Sequence, residues 1–127
     1  MTVLLDTHAL IWWFNEPTKL SRRATTIMGN PNSTILVSAA VAWEMAIKVN
    51  VGKLDALSLV RDLQQQIKRE GFTGLPISLE QATLAGLLAL HHRDPFDRLL
   101  VAQAEDLNVP ILSADQALDL YGIERLW

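Results

Sequence analysis

Thr2-Val3-Leu4-Leu5-Asp6-Thr7-His8-Ala9-Leu10-Ile11-Trp12-Trp13-Phe14 changes its period part-way along. Thr2–Leu5 reads as a short buried strand, and Asp6-Thr7 ends it as a helix cap ahead of the apolar segment Ala9–Phe14. The same step from strand to capped helix recurs downstream. Thr34–Val37 is a β-rich run, and Ser38 caps a helix from Ala39 to about Val49 that Gly52 closes. Val109–Leu112 is another short strand, after which Asp115 caps a short helix through about Tyr121. Short apolar strands alternating with helices predict a mostly parallel sheet covered on both faces, a compact α/β sandwich.

The intervening segments fit that plan. Ser21–Met28 makes a short helix closed by Gly29-Asn30-Pro31. Ser58 opens a helix to about Glu70, with Asp62 close to a capping-box position and Gly71 past its end. Leu75–Ile77 is a brief extended piece, and Ser78 caps a helix to about Leu90. Asp94-Pro95 marks a further helix start. Its Phe96, Leu99, Leu100, Ala104 and Leu107 share one side, on which Gln103 alone is neither apolar nor small. Ile123–Leu126 adds a final edge strand.

Composition narrows the function. At 127 residues the chain has the length of a single domain, residues 1–127. Its 14 acids outnumber 11 bases, for a formal charge of −3. A generic nucleic-acid binder usually carries a basic excess, so a phosphate ligand here requires a metal or a local basic patch. The absence of Cys excludes a disulfide framework and a thiolate metal site. Met1–Phe14 lacks the basic start of a signal peptide and carries Asp6 and His8 inside its apolar stretch. The runs Ala9–Phe14 and Ala39–Trp43 are far too short to span a membrane. A cytoplasmic location is expected.

In open parallel sheets, ligands gather beyond the carboxyl ends of the strands. Asp6 directly follows the first strand, Asp115 follows Ile111-Leu112, and Asp97 lies in the first turn of the helix that starts at Pro95. Glu44 is one and a half turns into the helix after the second strand, where only Glu44 and Lys48 interrupt the apolar run Ala39–Val49. Each acid also has a structural reading. Asp6, Asp94 and Asp115 stand where an Asp caps a helix, worth about 1 kcal/mol. Asp97 suits a helix dipole, and Glu44 with Lys48 suits a surface i,i+4 ion pair.

Convergence of the four on one sheet edge predicts more. Two like charges at about 4 Å repel by roughly 4 kcal/mol at an effective dielectric of 20. Clustered carboxylates therefore raise one another's pKa unless a cation neutralises them. Mg²⁺ characteristically takes one or two carboxylates, several waters and substrate phosphate, and it activates water for in-line displacement at phosphorus. The acidic balance of the chain is then no obstacle to a phosphate substrate.

Four segments, in order, resemble one family. Leu4-Leu5-Asp6-Thr7-His8-Ala9-Leu10-Ile11-Trp12 resembles the opening motif of PIN-domain proteins, in particular the VapC-like toxins. Val37-Ser38 with Trp43-Glu44 and Lys48 resembles the second motif. His92-Arg93-Asp94-Pro95-Phe96-Asp97-Arg98-Leu99-Leu100-Val101-Ala102-Gln103-Ala104 resembles the third, and Leu112-Ser113-Ala114-Asp115 the fourth. The resemblance implies a PIN-like three-layer sandwich with a central, mostly parallel sheet flanked by helices, and Mg²⁺- or Mn²⁺-dependent cleavage of RNA. It assigns the catalytic, metal-holding quartet to Asp6, Glu44, Asp97 and Asp115. Asp6 and Asp97 are the principal ligands, with Glu44 and Asp115 holding a second ion or its waters. It further implies homodimerisation and a cognate antitoxin whose C-terminal segment wraps the toxin and inserts a cation, such as Arg, into the acidic pocket.

Around the quartet, Thr7, Ser113 and Asp94 are candidates for outer contacts, Asp94 mainly as a cap. Arg98, Arg93 and Lys48 are candidates for substrate phosphate, although Arg98 is also spaced to pair with Asp94. Arg22, Arg23, Lys53, Lys68 and Arg69 are further basic positions, each equally a solvated surface charge. His8 is expected to make a structural hydrogen bond on the first helix rather than act as a base, and His91 and His92 are expected in a loop. With no His pair at i,i+4, a zinc site is not expected. Trp12, Trp13 and Trp43 are expected to pack in the core, while Trp13 and Phe14 also qualify for a dimer contact.

Rival readings fit less well. A phosphotransfer enzyme of the haloacid-dehalogenase type needs an Asp where His8 stands, and Gly52-Lys53 lacks the glycine and strand of a phosphate loop. A catalytically silent PIN-type binding module, and an RNA-processing or DNA nuclease without an antitoxin, remain as alternatives.

Overall fold

The computed structural model describes residues 1–92 and 94–127. Five strands, β1 (Thr2–Leu5), β2 (Thr34–Ser38), β3 (Thr73–Leu75), β4 (Ile111–Leu112) and β5 (Arg125–Leu126), form one sheet in the order β3-β2-β1-β4-β5. Every neighbouring pair is parallel. Among the described residues seven helices flank it: α1 (Thr7–Asn15), α2 (Arg22–Gly29), α3 (Ala39–Asn50), α4 (Leu57–Arg61), α5 (Leu63–Arg69), α6 (Leu79–Leu87) and α7 (Pro95–Leu107). Short 3₁₀ turns cover Pro17–Lys19 and Gln116–Tyr121. No helix among the described residues is long and apolar enough to cross a membrane.

The apolar runs read as strands because they are covered on both sides. Val3, Leu4 and Leu5 of β1 are fully buried, as are Ile111 and Leu112 of β4. The chain steps outward from β1 through β2 to β3, then returns to the other side of β1 for β4 and β5. That reversal opens a crevice at the carboxyl ends of β1 and β4, where open parallel sheets bind their ligands. The backbone N–H of Asp6 donates to Leu112 O at 3.2 Å, which fixes the two strand ends side by side.

The expected caps form. Ser21, Ser38, Asp94 and Asp115 accept from Ala24, Ala40, Phe96 and Ala117 N–H groups at 2.9–3.0 Å. Ser78 and Gln81 close a complete capping box at the start of α6. Asn108 ends α7 in the left-handed region, a conformation Asn tolerates better than most residues.

Several boundaries differ from expectation. The single helix from Ser58 to Glu70 is two pieces, because Asp62 adopts φ −115°, ψ 24°; Asp is a weak helix-interior residue. α6 stops at Leu87, not Leu90, since Tyr121 Oη draws the next segment aside by donating to Ala89 O at 2.8 Å. β3 pairs at Thr73–Leu75 because Pro76 has no N–H for the ladder. Gln103, the polar residue on the apolar side of α7, is fully buried. Its Nε2 donates to Pro76 O and to Gln81 Oε1, each at 3.1 Å, and so ties α7 to α6 and to the end of β3.

Candidate active site

Asp6 is at once the cap of α1 and the floor of the crevice. It is buried, with Oδ1 accepting from Ala9 N–H at 2.7 Å and Oδ2 accepting from Ser113 Oγ. Burial pushes its carboxyl up, and the charge of Asp115 adds to that, while the two hydrogen bonds and His8 oppose it. Ser113 also accepts from the Asp115 N–H at 3.0 Å, so one hydroxyl locks both acids to the end of β4.

Glu44 reaches the same crevice from α3. It is only 5% exposed, so the expected surface ion pair with Lys48 is instead a pair with a buried partner. Lys48 Nζ lies 2.6 Å from Oε2, and Thr7 Oγ1 donates to Oε1 at 2.6 Å. The Thr7 hydroxyl thus meets Glu44 rather than Asp6.

Asp97, in the first turn of α7, is pushed up to about 7. Burial is the largest cause, followed by the negative charge of Asp94; Glu44 and Asp6 add to it, and His92 opposes it. Glu44 and Asp6 thus act on Asp97, and Asp115 acts on Asp6, so the four acids form one electrostatic unit. Asp94 caps α7 and acts on the crevice through its charge.

A hard divalent cation fits this donor set. Of the four carboxylates, Asp6 and Asp97 are held toward protonation by burial and by neighbouring negative charge. A cation between them removes that repulsion, and all-oxygen ligands suit Mg²⁺ or Mn²⁺.

The surrounding residues correct several expectations. His92, expected in a loop or as an RNA contact, lies in the loop before α7 and faces the acids: its Nε2 lies 3.1 Å from Asp97 Oδ2 and 3.0 Å from Asp115 Oδ2. Nothing in its spacing signals this, because the contact depends on how the loop after α6 folds back. His8 is exposed and tilts against Trp12 at 5.5 Å, with no hydrogen bond among the described residues. Arg98 is half-buried beside Asp97 and makes no ion pair with Asp94; its Nε is buried without a partner among the described residues. Arg93 lies outside the described residues. Arg22, Arg23, Lys53, Lys68 and Arg69 are all exposed.

Trp12, Trp13 and Phe14 are half-buried against the core, Trp13 packing on Phe72 at 5.6 Å. Trp43 departs from expectation: it is 58% exposed and meets Phe96 edge-to-face at 5.1 Å. It lies on the rim of an apolar groove of about 720 Å³ between α3, α4–α5 and β3, lined among others by Val37, Ala42, Val60, Ile67 and Leu75.

The chain matches the PIN domain family over residues 3–124, nearly its whole length. It belongs to that family. Within it, the chain is 31% identical over 119 residues to ribonuclease VapC22 of Mycobacterium tuberculosis, covering 92% of this chain and 89% of that one. Its fold is that of the VapBC2 structure from Rickettsia felis, solved on a promoter DNA fragment, with a TM-score of 0.72, 15% identity, and 99% and 98% of the two chains covered. VapBC-1 from nontypeable Haemophilus influenzae shares it as well, with a TM-score of 0.69, 17% identity, and coverage of 99% and 97%. The sandwich expected from the sequence, with its central parallel sheet, is the observed fold.

Proposed function

We propose that this PIN-domain protein is a metal-dependent endoribonuclease that acts as the toxin of a toxin–antitoxin pair. The carrying observation is the electrostatic unit of Asp6, Glu44, Asp97 and Asp115 at the switch point of the sheet. The identity to a relative named as a ribonuclease supports RNA as the substrate.

In this reading Asp6 and Asp97 are the principal ligands of Mg²⁺ or Mn²⁺, and Glu44 and Asp115 hold a second ion or orient its waters. The bound ion supplies an activated water and neutralises charge during in-line displacement at phosphorus. Ser113 and Thr7 orient the carboxylates, Lys48 balances the charge on Glu44, and Arg98, which follows Asp97 in α7, takes a substrate phosphate in this reading. In this reading the antitoxin's segment docks in the apolar groove beside Trp43, next to the sheet edge at β3. For a homodimer, the half-buried Trp13 and Phe14 are the contact in this reading, and Leu79, Leu87 and Leu90 are further exposed apolar side chains. A cytoplasmic location follows from this reading, since RNA and antitoxin are met there.

The test is cleavage of labelled total RNA by purified, antitoxin-free protein with Mg²⁺, Mn²⁺ or EDTA. Discrete cuts that need metal, and that vanish in Asp6→Asn and Asp97→Asn, are expected. Absence of cutting with either metal would turn the reading toward a PIN-type binding module.

A further inference from the structure

His92 sits on the loop between α6 and α7, and its ring is fixed from both ends. Nδ1 accepts a hydrogen bond from the Asp94 N–H at 3.2 Å. A ring nitrogen that accepts carries no proton, so the neutral imidazole keeps its proton on Nε2. Nε2 in turn lies 3.0 Å from Asp115 Oδ2 and 3.1 Å from Asp97 Oδ2. The backbone is also tied: the His92 N–H donates to Tyr121 Oη at 2.9 Å, and that hydroxyl donates to Ala89 O at 2.8 Å. A held N–H therefore hydrogen-bonds Asp115, after β4, with an Asp97 oxygen of α7 at 3.1 Å from the same nitrogen.

We propose that His92 is a positioning residue of the site, whose Nε2–H holds the Asp115 carboxylate beside Asp97, two of the acids that the reading above gives to divalent ions. The inference rests on the metal-dependent reading above. His92, Asp97 and Asp115 each present a potential ligand atom within 4.8 Å of the others, so the ring invites assignment as a third ligand. The contact with Asp94 opposes that assignment. A neutral imidazole that ligates through Nε2 keeps its proton on Nδ1, where it would point at the Asp94 N–H donor. Removal of an outer donor to a ligating group typically costs 10–100-fold in metal affinity or activity.

The test is Mn²⁺ binding to the full chain, followed by electron paramagnetic resonance, for the wild type, His92→Ala and His92→Gln, with thermal unfolding as a control. Wild type is expected to bind Mn²⁺, and pulsed spectra to show no directly coordinated nitrogen. His92→Ala is expected to bind about tenfold more weakly at unchanged stability. His92→Gln, which presents an amide N–H at similar reach, is expected to recover most of the loss. A coordinated nitrogen signal that disappears in His92→Ala would make His92 a ligand and overturn the proposal. Unchanged or tighter binding by His92→Ala would overturn it too, while leaving the metal-dependent reading intact. Failure of the wild type to bind Mn²⁺ would remove both, and so is distinguishable from binding that ignores residue 92.

Discussion

Asp97 carries its proton to about pH 7 because burial and the charges of Asp94, Glu44 and Asp6 all disfavour its ionised form. In the unfolded chain the same group titrates near 3.8. Between those values the native state binds more protons than the unfolded state, so this group's contribution to stability falls as pH rises and is lost above about 7. The melting temperature of metal-free Asp97→Asn should therefore gain on that of the wild type between pH 5 and pH 8; a constant difference would contradict the origin given for the shift. Proton and metal compete for the same oxygens. Mn²⁺ affinity should accordingly tighten, by up to about tenfold per pH unit, as pH rises toward 7 and then level off, which titration calorimetry at fixed ionic strength can follow. The four acids were legible in the sequence because each directly follows a strand or opens or lines a helix beside one. His92 was not, because its reach into the crevice depends on a loop held by Tyr121, 29 residues away.

At the scale of elements, Gln103 joins pieces that apolar packing alone would leave free to slide. Its amide meets Pro76 O and Gln81 Oε1, while Gln81 Nε2 holds Asp106 Oδ2 at 3.0 Å. Gln103→Ala removes a fully buried side chain and strands the Pro76 carbonyl, with an expected loss on the order of 2–4 kcal/mol in denaturant unfolding. A loss below about 1 kcal/mol would show that the network is dispensable. The pattern of apolar and polar residues located the start of α7 and its buried side, because cap and period are local properties. It could not reveal that the polar exception is the latch, since Pro76 and Gln81 reach Gln103 only through tertiary packing. The early end of α6 was missed for the same reason, because Tyr121 rather than local propensity decides it.

Across the whole molecule, the crevice depends on its last strand. Leu126 O accepts the Ser113 N–H at 3.0 Å, Arg125 donates to Ser113 O at 3.0 Å, and Trp127 meets Trp12 of α1 at 5.8 Å. Deleting Arg125–Trp127 removes buried Leu126, alone worth on the order of 2–5 kcal/mol, and frees Ser113 from the position in which it holds Asp6. Loss of metal-dependent cleavage together with a lower melting temperature is the expected result, and full cleavage by the shortened chain would show that β5 does not support the site. The hydrogen bond from Ser113 to Asp6 spans 107 positions of sequence. On a ribosome, β1 is made first and can pair early with β2, yet its other edge stays bare until residues 111–112 emerge. A nascent chain that stops short of them presents an open strand edge to its surroundings and no assembled cutting site.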